Sequence, residues 1–136
     1  MKQTYIAITV AVVLVLVALI LSMQGNGEVN TQDGVLAGGI SSNVVIVDGK
    51  QIVEITAKGG YKPGKSIAKA GIPTVVRVKT NGTFDCSSFI RIPSLNVSQS
   101  LPQTGVTDFD AGTSTAGVLQ GTCGMGMYSF DIEFRS

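Results

Sequence analysis

The chain is 136 residues long, sets ten Lys plus Arg against nine Asp plus Glu for a formal net charge of +1, and contains no histidine. With no basic field to concentrate phosphates, no nucleic-acid role is expected. With no imidazole, a blue-copper centre and the usual catalytic zinc sites cannot be built in their ordinary form. Two cysteines allow one bridge, which does not staple a miniprotein, so a hydrophobic core has to hold a single domain.

From Tyr5 to Met23 the chain runs nineteen residues without a charge, rich in Val, Leu, Ile and Ala. That length suits a helix crossing roughly 30 Å of hydrocarbon, and residues 1–23 are predicted to form a transmembrane anchor. Ala18-Leu19-Ile20-Leu21-Ser22-Met23-Gln24 offers no A-x-A-like site, so the anchor is expected to stay uncleaved. Lys2 precedes the span and Glu28 and Asp33 follow it. The positive-inside bias then predicts a single-pass cell-membrane protein whose folded domain is extracytoplasmic.

Residues 24–43 hold five glycines and few apolar side chains, a composition expected of a flexible linker. Short β-rich runs follow over residues 44–136. Val44–Val47 and Gln51–Thr56 flank an Asp48-Gly49 turn and read as a hairpin. Gly59-Gly60, Pro63-Gly64 and Gly71-Ile72-Pro73 break the chain between further runs at Ser66–Ala68 and Thr74–Lys79. Ser88–Ile92, Val106–Phe109 and Gly117–Gln120 come next. In the last run Tyr128, Phe130, Ile132 and Phe134 alternate with Ser129, Asp131, Glu133 and Arg135, one face dry and one wet. No stretch beyond the anchor has helical periodicity, so the fold class expected is all-β, an antiparallel sandwich or barrel.

All the sulfur of this domain lies in Cys86, Cys123, Met125 and Met127, and three of the four sit in Cys123-Gly124-Met125-Gly126-Met127. Thiolates and thioethers are polarizable donors that select Cu(I) over hard cations. The alternative is that the methionines fill gaps in a core and the cysteines form a disulfide or are simply buried. Two glycines flanking Met125 weaken a strand and suit a ligand loop better than a packing element. No nucleophile, base or open metal position can be assembled from these residues, so no enzymatic activity is expected.

Cys86-Ser87-Ser88-Phe89-Ile90-Arg91-Ile92-Pro93, Leu101-Pro102 and Thr122-Cys123-Gly124-Met125-Gly126-Met127-Tyr128-Ser129 together resemble small cupredoxin-like domains, as do Gly59-Gly60-Tyr61-Lys62-Pro63 and Ala70-Gly71-Ile72-Pro73. Within that group the chain is most similar to membrane-anchored copper(I) chaperones of cupredoxin fold. The resemblance implies a cupredoxin-like antiparallel Greek-key β-sandwich behind one transmembrane helix. It implies Cys86, Cys123, Met125 and Met127 as ligands for one or two Cu(I) ions, with Cys123 placed to bridge. It implies delivery to a copper-transporting P-type ATPase or another copper acceptor. Two alternatives stand beside it: an electron-transfer or oxidase-associated cupredoxin, and an anchored β-sandwich with a structural Cys86–Cys123 disulfide.

Overall fold

The computed structural model describes residues 2–23 and 39–136, with side chains in the first segment described at residue 6 and residues 8–18. The helical segment and the β domain are separate units. Helix α1 spans Lys2–Met23. Among the described residues no helix is long and apolar enough to cross a membrane. The expected transmembrane helix, and the single-pass membrane location that rested on it, are corrected accordingly.

The β domain contains β1 (Val44–Val47), β2 (Lys50–Ala57), β3 (Tyr61–Lys62), β4 (Lys65–Lys69), β5 (Pro73–Thr80), β6 (Phe89–Ile92), β7 (Val97–Ser100), β8 (Gly105–Thr113), β9 (Gly117–Cys123) and β10 (Ser129–Arg135). One sheet has the order β1-β2-β5-β8, with β3 also pairing β2, and the other has the order β4-β10-β9-β6-β7. The expectation of a cupredoxin-like antiparallel Greek-key sandwich is corrected here too. β2 pairs β5 in parallel, and β4 pairs β10 in parallel, so both sheets are mixed. Period-two alternation is the same for either strand direction, and the direction is decided by crossovers that local sequence does not encode.

Each sheet turns one face toward a shared core. Val53, Ile55 and Ala57 of β2 and Val76 and Val78 of β5 are buried together with Ile90 and Ile92 of β6 and Phe130, Ile132 and Phe134 of β10. The β1–β2 hairpin closes through Asp48 and Gly49, which both have positive φ (50° and 74°), as a type I′ turn requires. Gly121 is opposite Phe130 in the β9–β10 register, and a Cβ there would overlap the Phe130 ring. Only glycine lets that ring lie flat on β9, where its edge meets Tyr61 with ring centroids 5.1 Å apart.

Of the expected linker, residues 24–38 lie outside the described residues. Ser41 accepts a 2.7 Å bond from the Ile67 amide, and Asn43 donates to the Glu54 carbonyl and the Ser66 hydroxyl. Hydrogen bonding of the β domain therefore begins ahead of β1.

Candidate metal centre

Cys123 closes β9 and is 1% exposed. It is fixed from both sides: Ile90 of β6 is its ladder partner, and its amide donates to the Tyr128 carbonyl at 3.0 Å. Beyond it the chain reverses in four residues. The Gly126 amide donates to the Cys123 carbonyl at 3.0 Å, and Gly126 takes φ +72°, in the left-handed region that favours glycine. Gly124 gives close approach, since a Cβ there would stand 3.2 Å from Cδ1 of Phe89 and the ring would have to shift by a few tenths of an ångström. The glycines thus shape one defined loop, where the sequence suggested only backbone freedom.

Cys86 comes from the other direction. It opens a 3-10 turn, Cys86–Ser88, where a strand beginning at Ser88 was expected; the strand β6 starts one residue later, at Phe89. Asp85 makes the turn by accepting from the Ser87 amide at 2.8 Å and from the Ser87 hydroxyl. Ser87 is fully buried, which anchors the turn in the domain. Cys86 is left partly buried at the rim of the core.

These two placements bring the cysteines together, with Cα atoms 5.8 Å apart and the sulfurs joined in a disulfide across a sequence separation of 37 residues. The Tyr128 amide donates to the Cys123 sulfur at 3.4 Å. Met125 and Met127 lie on the same loop, 82% and 65% exposed. That exposure rules out a role as core gap-fillers, because neither packs into the apolar interior. The structure therefore unites the two cysteine sulfurs and holds the two thioethers in solvent two and four residues past Cys123.

Electrostatics around the thiols are set by Asp85 and Tyr61. Hydrogen bonds from the Ser87 side chain and amide, and from the Gly59 amide at 2.6 Å, hold the Asp85 carboxyl below its ordinary range. Burial, with the Asp85 charge added, pushes Tyr61 up to about 12, so the phenol stays neutral and donates to the Phe89 carbonyl at 3.0 Å. Among the described residues no group of three or more His, Cys, Asp or Glu side chains gathers in a way that could hold a metal.

Sequence reasoning passed over Asp85 and read Gly59-Gly60 only as a break between strands. Asp85 carried a legible signal: an Asp two residues before a Ser is a capping pattern at the start of a helical turn. The Gly59 contact carried none, since its partner is 26 residues away.

No family model matches the sequence, and comparison with curated proteins gives no match. Solved structures do resemble it. The metal-binding domain of the Streptococcus pneumoniae D39 Cu(I) exporting P-type ATPase CopA, solved with Cu(I), superposes with a TM-score of 0.61 at 18% identity, over 68% of this chain and 93% of that one. A copper binding protein solved in solution in its apo form gives a TM-score of 0.61 at 22% identity, over 68% of this chain and 94% of that one. At these identities the likeness is one of fold.

Proposed function

We propose that this chain is a Cu(I)-binding protein of copper handling. In this reading it captures one or two ions with the sulfurs of Cys86, Cys123, Met125 and Met127 and passes them to a copper-transporting P-type ATPase or another thiol-bearing acceptor. The observation that carries the reading is the meeting of the two cysteine sulfurs at the base of a four-residue loop whose two methionines are mostly in solvent. Fold likeness to the copper-binding domains described above supports it.

The chemistry follows from the donors. Two thiolates neutralise the cation and supply most of the affinity, while thioethers are neutral, weaker and equally soft. Cys123, between Cys86 and the methionines, is the sulfur placed to contact ions on both sides. A strand end fixes Cys123, so the loop can open around it without disturbing the sheets. The exposed methionines are the ligands that leave first when an acceptor thiol attacks, and release then proceeds by exchange and not by free dissociation. The chain acts as a carrier and needs no catalytic step.

The Cys86–Cys123 bond favours a second reading, a structural bridge. The two readings make opposite demands on redox state, because a disulfide sulfur has no thiolate to offer. Anaerobic titration of the reduced and the oxidised protein with Cu(I), buffered by a chromogenic chelator, separates them. Strong binding only after reduction supports the carrier, whereas absence of binding in both states leaves the bridge. Mixing the copper-loaded protein with a soluble metal-binding domain of a copper ATPase tests delivery. Transfer faster than loss to a chelator of equal affinity is expected, and equal rates reduce the protein to a passive buffer.

A further inference from the structure

The two cysteines are not held in the same way. Cys123 is locked by its ladder to Ile90 of β6 and by the bond of its amide to the Tyr128 carbonyl, whereas Cys86 itself pairs with no strand and sits on a three-residue turn. The carboxylate of Asp85 makes the turn: one oxygen accepts from the Ser87 amide and hydroxyl, and the other accepts from the Gly59 amide. Gly59 and Gly60 form the turn between β2 and β3, and a Cβ on Gly60 would be 3.4 Å from the ring of Tyr128, whose own amide bonds to the Cys123 sulfur. The Gly59-Gly60 turn therefore touches both cysteine supports, Asp85 on one side and Tyr128 on the other.

We propose that Asp85 is the positioning residue of the thiol pair, clamping the Cys86 turn to the Gly59-Gly60 turn so that the Cys86 sulfur is held against Cys123 in the reduced protein as it is in the disulfide. The inference deepens the copper reading and rests on it for its copper arm only. Losing the clamp frees Cys86 while leaving Cys123 in place, so the two sulfurs meet less often. Both disulfide formation and copper capture then weaken by the same factor.

The pairing of the thiols can be read without copper. In the exchange with glutathione disulfide, the protein dithiol is oxidised to the Cys86–Cys123 disulfide, and one glutathione disulfide is reduced to two glutathione thiols. No other reactant is needed, and the equilibrium constant reports how often the two sulfurs are in reach. Asp85→Ala is expected to lower that constant roughly fivefold, the size of losing a side-chain cap, and to weaken Cu(I) affinity in parallel. Asp85→Asn keeps an oxygen for Ser87 but cannot accept from Gly59 with its amide nitrogen. It therefore keeps the turn but breaks the clamp, is expected to show most of both losses, and stands in if the alanine variant does not fold.

A wild-type glutathione constant in folded Asp85→Ala, even with a lowered melting temperature, overturns the proposal and leaves Asp85 a merely structural cap. A wild-type constant in Asp85→Asn also overturns it, since the bond to Gly59 would then do nothing to pair the sulfurs. If the wild-type reduced protein takes up no Cu(I), the copper reading fails, and the glutathione constants still decide the role of Asp85.

Discussion

Reducing the Cys86–Cys123 bond releases a loop whose ends are 37 residues apart in sequence. In the chain-entropy treatment, closing a loop of that length removes roughly 13 cal/mol/K from the unfolded ensemble, or about 4 kcal/mol at 25 °C. For a domain of this size that is a large share of a total stability of about 5–15 kcal/mol. Urea unfolding monitored through the tyrosines is the assay, since the chain has three Tyr and no Trp. With a slope of about 2 kcal/mol/M, the reduced protein is expected to unfold at a midpoint about 2 M below the oxidised one. Cu(I) held by both thiols of the folded protein offsets the loss by its binding free energy. The reduced, copper-loaded protein should therefore recover most of the lost midpoint. A reduced protein as stable as the oxidised one refutes the loop estimate. A reduced protein that Cu(I) does not stabilise shows that copper does not span the two cysteines.

Gly121→Ala drives a methyl into the Phe130 ring and is expected to destabilise the domain by about 1–3 kcal/mol, read as a lower urea midpoint with unchanged slope. Cys123→Ser is expected to cost more Cu(I) affinity than Cys86→Ser, and either Met125→Leu or Met127→Leu less than both, in a chelator competition. Full affinity in Cys123→Ser places the site elsewhere. The copper-loaded protein should be colourless, because a filled d10 shell has no ligand-field band, and an intense visible absorption contradicts the ligand set. Asp85, Asp108 and Glu133 all have carboxyls held below their ordinary range by hydrogen bonds from Ser87, Arg77 and Arg135 respectively. Lowered folded pKa values give stability that is present above the unfolded pKa of about 4 and lost as pH falls through the folded values. A urea midpoint that drops on acidification below pH 4, and drops less steeply in Asp108→Asn, is the expected result.

Strand positions were legible where one face of the strand is buried: Phe130, Ile132 and Phe134 show their alternation in the bare sequence and are 1%, 0% and 3% exposed. The Asp48-Gly49 turn was legible for the same local reason. β7 was not, since Val97-Ser98-Gln99-Ser100 offers no apolar face and is a strand only because β6 pairs with it. Nor could the parallel pairing of β2 with β5 be read from either strand. The uncharged run after Tyr5 gave the composition of a span, which the described residues do not bear out. At the candidate site the sulfur-rich loop announced itself through residue type and spacing. What holds Cys86 did not, because the contact of Asp85 with Gly59 is a product of the fold.

The most direct test of the central claim is X-ray absorption at the copper edge of the reduced, Cu(I)-loaded protein. Copper bound by Cys86, Cys123, Met125 and Met127 gives a ligand shell of sulfur alone. That shell should lose scattering in Met125→Leu/Met127→Leu and lose copper altogether in Cys86→Ser/Cys123→Ser. A shell of nitrogen or oxygen, or copper retained after both cysteines are gone, contradicts the account.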